Sequence, residues 1–115
     1  MTKTRYYLRL PEPAQARGGD PTLAFRSVGA EGFAEELQSA LRTTALFERW
    51  KATLEDPDDA DTSLGVVDPE ATVTGKASDL HVDLLATTSL PGGVFKHRLR
   101  LLAGSHWQLR DVTAG

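Results

Sequence analysis

The chain contains no cysteine, which removes a disulfide framework, a thiolate metal site and a cysteine nucleophile together. Stability has to come from packing. No run of 18 apolar residues occurs, and charged Lys3, Arg5 and Arg9 interrupt the opening segment from Met1 to Leu10. Neither a membrane span nor the apolar stretch of a signal peptide is therefore expected, and the expected compartment is the cytoplasm. Motifs for nucleophilic catalysis and phosphate binding are missing as well. Gly104-Ser105-His106 is not a nucleophile elbow, and Arg17-Gly18-Gly19-Asp20 lacks the spacing of a phosphate loop. Gly29-Ala30-Glu31-Gly32 precedes a helical pattern, but Glu31 and Glu35 already supply the negative charge a helix start favours.

Positive charge is also in short supply overall. The net charge is −3 and the isoelectric point about 5.5, which argues against a protein that grips nucleic acid through bulk charge. The distribution is uneven. Residues 1–54 carry eight basic and six acidic side chains, residues 55–79 carry one and eight, and residues 80–115 carry four and two. An acidic middle separates two mildly basic ends.

What is present is enough for one core: 115 residues should leave about 6,000 Å² exposed when folded. Tyr6, Leu8 and Leu10 alternate with Arg5, Tyr7 and Arg9, the period of a strand with one buried face. Pro11 and Pro13 end it, Glu12 to Pro21 reads as a loop, and Leu23 to Val28 reads as a short strand. From Glu31 to Leu54, Phe33, Leu37, Ala40, Leu41, Phe47, Trp50 and Leu54 recur at intervals of three and four, which predicts an amphipathic helical region. A single rod would be about 36 Å long, so a break at Thr43-Thr44 is expected, with Thr44 capping a second helix.

Glu55 to Asp61 holds five acidic residues and a proline, and this predicts a solvated, mobile loop over about 55–63. Thr72-Val73-Thr74 reads as a short strand after Pro69. In the last third, Leu80, Val82, Leu84 and Ala86 alternate with polar residues, and Phe95, Leu99 and Leu101 alternate with Lys96, Arg98 and Arg100. With turns at Ser89 to Gly93 and at Ala103 to Ser105, this reads as a β-meander. Its register places Asp83 opposite Arg98 or Arg100, Leu101 opposite Trp107 and Leu99 opposite Leu109. The expected architecture is one α+β domain over 1–115: an antiparallel β-sheet of about four to five strands with a C-terminal β-meander and one long or two short helices packed on one face.

The same parity gathers Arg5, Tyr7, Arg9, Lys96, Arg98, Arg100 and Arg110 on the polar face of the sheet. These seven are the candidate partner-binding residues. A solvated polar sheet face is the ordinary alternative, and folding of the acidic loop over the basic face is another. The acidic segment itself suggests calcium, with Asp59, Asp61, Ser63 and Glu70 at EF-hand spacing. Leu64 stands where the turn needs glycine and Val67 occupies a ligand position, so the motif fails. His81, His97 and His106 fall on different faces and define no metal site.

The functional expectation is a small non-enzymatic interaction or accessory module, with no cofactor, that binds an anionic or protein partner or its own copy through the arginine-rich face or an exposed strand edge. Single-stranded nucleic acid on that face, with Tyr7 as a stacking platform, is the alternative. A further alternative is a ligand binder or enzyme with a pocket between helix and sheet lined by Trp50, His97 and Trp107.

Overall fold

The computed structural model describes residues 3–78 and 80–115. The regular elements are β1 (Thr4–Leu10), α1 (Ala30–Arg42), α2 (Ala45–Ala52), β2 (Thr72–Ser78), β3 (His81–Thr88), α3 (Gly92–Ala103) and β4 (Gln108–Ala114), with short 3-10 turns at Pro13–Gln15, Pro57–Asp59 and Thr62–Gly65. The four strands form one sheet in the order β2-β3-β1-β4, and all three pairings are antiparallel. β1 and β2 are therefore parallel with β3 between them, and β3 and β4 are parallel with β1 between them. Two interlocked split β-α-β units result, the βαββαβ arrangement also called ferredoxin-like.

Alternation explains the strands. Tyr6, Leu8 and Leu10 of β1 and Val82, Leu84, Ala86 and Thr88 of β3 are buried on one face. α1 lays Phe33, Ala34, Leu37, Ala40 and Leu41 toward that face, and Val94, Phe95, Leu99 and Leu102 of α3 complete the core. Tyr6 stacks on Phe95 with ring centroids 4.1 Å apart, and Phe25 meets Phe33 edge-on at 5.0 Å. At Gly75 a Cβ would collide with the Ala30 carbonyl, so a residue without a side chain lets α1 approach β2 closely. The exposed surface of 6437 Å² agrees with the area expected for a chain of this size.

Several sequence-based expectations are corrected. The largest concerns the predicted meander: residues 92–103 form α3 rather than a strand. Its buried positions, Val94, Phe95, Arg98, Leu99, Leu102 and Ala103, follow helical spacing once Arg98 is counted as a core residue. Pro91 precedes the helix, and Gly104, at φ +63°, ends it where a residue with a Cβ would be strained. Consequently β4 pairs with β1, and Leu109 lies opposite Leu8 rather than Leu99. Asp83 lies opposite Arg9 rather than Arg98 or Arg100.

The segment Leu23 to Val28 forms no strand. Leu23, Ala24 and Phe25 are buried in succession, which a pleated strand on a one-sided sheet does not allow. Leu80, expected on the core face, lies in the turn between β2 and β3 and is 88% exposed. The helix does break at Thr43–Thr44 as expected, but Thr44 makes no side-chain cap; the Thr43 hydroxyl instead donates to the Ser39 carbonyl. The acidic segment holds two of the 3-10 turns, in which Asp56 and Asp61 accept the N–H groups of Asp58 and Ser63. It lies beside Trp50 and Leu54 on the helix side, so it does not cover the opposite face of the sheet.

Candidate functional site

The helical layer among the described residues lies on one face of the sheet, with α1 packed directly against β2 and β3, and register assigns the other face. β1 contributes Arg5, Tyr7 and Arg9; β3 contributes His81, Asp83, Leu85 and Thr87; β2 contributes Thr72, Thr74, Lys76 and Ser78. On β4 the register shifts opposite Tyr7 and Leu8, and the bulge leaves Arg110 as the extra residue. Arg110 thereby joins Tyr7, Arg9, Thr74, Lys76, Asp83 and Leu85 around a hollow of about 340 Å³ at the centre of the open face.

The electrostatics of this hollow are set by one carboxylate among several cations. Arg9 Nε donates to Asp83 Oδ1 at 2.9 Å, and His81 Nε2 lies 3.3 Å from Asp83 Oδ2. The Arg9 hydrogen bond outweighs the opposing effect of desolvation and holds the Asp83 carboxyl below its usual range. Among the described residues, Arg5, Lys76 and Arg110 make no ion pair. Asp111, opposite Tyr7 on β4, adds a second carboxylate to the face beyond the hollow, and against Arg5, Arg9, Lys76 and Arg110 the face remains locally positive on an acidic protein, with Leu85 and half-buried Tyr7 as its apolar centre.

The seven sequence candidates do not form one surface. Arg5, Tyr7, Arg9 and Arg110 share the open face, whereas Lys96, Arg98 and Arg100 belong to α3 on the opposite side of the sheet. Arg98 is fully buried. Its guanidinium donates to the carbonyls of Ala40 at 2.6 Å, Leu64 at 2.7 Å and Val66 at 2.6 Å. The Ala40 carbonyl is one of the last-turn acceptors that α1 leaves without an internal partner, so Arg98 caps α1 and ties it to the segment after the acidic loop. A cation at a helix C-terminus also suits the helix dipole.

Lys76 and Leu85 are the open-face residues that sequence reasoning missed. The signal was the alternation of Val73 and Ala77 around Lys76, blurred by Gly75 between them. The histidines do not converge. His81 pairs with Asp83, while His97 meets the Trp50 ring edge-on at 4.5 Å. Burial, followed by nearby Arg98 and Arg100, holds the His97 imidazole below its ordinary pKa. Among the described residues no group of three His, Asp or Glu side chains is placed to hold a metal ion. The expected pocket lined by Trp50, His97 and Trp107 does not assemble: Trp107 sits after α3, donating to the Gly104 carbonyl at 2.9 Å and lining a separate hollow with Arg100 and Ser105.

No helix among the described residues is long and apolar enough to cross a membrane. No family model matches the chain, and comparison with curated proteins and with solved structures gives no significant match.

Proposed function

We propose that this protein is a non-catalytic interaction module whose open sheet face docks an acidic polypeptide segment. One observation carries the reading: the hollow at the centre of that face is bordered by Arg9, Lys76 and Arg110 against the single carboxylate of Asp83. Two of these cations have no ion-pair partner among the described residues, so an incoming carboxylate gains their attraction without first breaking a pair. The hollow has room for a side chain or two, and Tyr7 and Leu85 give the methylene stem of a glutamate an apolar contact. Arginine at the centre of such a patch is a residue type that carries binding energy at interfaces.

The test is a fluorescence titration with a labelled ten-residue glutamate-rich peptide. Saturable binding is expected, about fivefold or more weaker for Lys76→Glu and weaker again at high salt, because exposed charges are screened beyond roughly 10 Å at 0.1 M. Binding that Lys76→Glu leaves unchanged contradicts the proposal.

Tyr7 favours a second reading, a single-stranded nucleic acid with one base stacked on the ring. A mixed-sequence single-stranded DNA of equal charge, competing in the same assay, separates the two. The peptide reading predicts that the DNA displaces it poorly and that Tyr7→Leu leaves peptide affinity nearly unchanged. The nucleic-acid reading predicts tighter DNA binding that Tyr7→Leu abolishes.

A further inference from the structure

The two edges of the sheet are finished differently. At β2 the Gln38 side chain of α1 accepts the outward Val73 N–H at 3.0 Å, and Gly75 packs against the start of the same helix. The β2 edge is thus met, at Val73 and Gly75, by its own chain. At β4 all seven residues are exposed, and Leu109 and Val112, on the core-facing side, remain 39% and 46% exposed because the helical layer stops short of them. The Gly115 N–H bonds the Lys3 carbonyl, so by antiparallel alternation the N–H of Val112 points away from β1. It is met only by the neighbouring Asp111 carboxylate at 2.8 Å. An open strand edge beside uncovered apolar side chains is a template for another strand.

The order of residues on this edge names the strand. A two-fold axis between Arg110 and Asp111 sets Arg110 opposite Asp111 of a second copy, and Asp111 opposite its Arg110. The same axis brings Leu109 to Val112 on the core-facing side and Gln108 to Thr113 on the open side. Charge, apolarity and facing all match about one axis. The bulge at Arg110, which would misfit a regular strand, meets the same bulge in the second copy.

We infer that β4 is a self-association edge, through which two copies of this chain pair antiparallel into one eight-stranded sheet. The two open faces then run together as a single surface. The pairing does not depend on what that surface binds.

The test is sedimentation equilibrium over about 1 μM to 1 mM, a range that brackets weak association. The expected result is a mass rising toward twice that of the chain. Arg110→Asp and Asp111→Arg each set like charges opposite one another, and each alone should weaken association by about tenfold or more. An equimolar mixture of the two variants restores both opposite-charge pairs and should associate at least as well as the original chain. The amide NMR spectrum of each variant alone reports whether the fold is kept. A single-chain mass throughout the range overturns the proposal, since the edge would then accept some other strand or none. A dimer indifferent to either charge reversal, or a mixture that stays monomeric, overturns it equally.

Discussion

Arg9 and Arg98 look alike in the sequence, each a basic residue directly followed by a leucine, yet they serve opposite ends of the energy scale. Arg9 lies on the open face and shares Asp83 with His81, where its side chain and that of Asp83 are 31% and 40% exposed. Water competes for such a pair, and pairs of this kind contribute about 0–1 kcal/mol. Arg98 has no exposed surface and no carboxylate partner; three backbone carbonyls accept from its two terminal nitrogens instead, while its Nε is buried without a partner. Stripping water from a cation is costly, so this arrangement holds only while all three carbonyls are in place. The same residue type is a replaceable surface charge in β1 and a structural pin in α3.

The sharpest way to break this contrast is to remove both side chains. Arg98→Met should cost about 3–5 kcal/mol in chemical denaturation, because the Ala40, Leu64 and Val66 carbonyls lose their donor in a buried setting. Arg9→Met should change stability by less than about 1 kcal/mol. Equal losses would contradict the division.

Asp68 extends the comparison to the carboxylates. It is buried, unlike Asp83, and its N–H donates to the Leu41 carbonyl at the end of α1. Burial is the largest single influence and would raise its pKa. Hydrogen bonds from the Ser89 N–H, the Thr88 hydroxyl and the Glu70 N–H together outweigh it and hold the carboxyl below 3.8. The folded form therefore prefers the ionised group, and this contribution is full above the unfolded value and lost as pH falls through the folded one. Stability should decline below about pH 3.8. Asp68→Asn should cost about 2 kcal/mol at neutral pH, since hydrogen bonds to a charged acceptor are the stronger kind, and should flatten the acid decline. An unchanged acid limb in the variant would assign the decline to other carboxylates.

The smallest effects on stability, and the largest on binding, belong to the open face. Lys76→Glu should leave the unfolding midpoint almost unmoved while weakening capture of an acidic peptide. Lys96→Glu and Arg100→Glu on α3 should leave peptide capture unchanged, and a loss of peptide binding from the α3 pair would move the docking surface to the helical side.

The contrast also explains what could be read from the sequence. β1, α1, the break at Thr43–Thr44 and β3 were legible because their apolar and polar residues alternate with the period of the element. α3 was not, because Arg98 fills a core position with a residue that a hydrophobic pattern counts as surface. Phe95, Leu99 and Leu101 then mimic a strand, although Pro91 before the segment and Gly104 after it are ordinary helix boundaries. Reading α3 as a strand also displaced β4, whose true partner is about a hundred residues earlier in the chain. Arg5, Tyr7 and Arg9 of the open face followed from β1 alone. Lys76 required the β2–β3 register, which local alternation around Gly75 does not reveal.

A backbone amide NMR titration with the glutamate-rich peptide, run near physiological salt, tests the docking face most directly. The account predicts shifts confined to the β1 residues Arg5 to Arg9, Thr74 to Lys76, Asp83 to Leu85 and Arg110, with α3 silent. Shifts centred on Lys96 and Arg100, or none at saturating peptide, would contradict it.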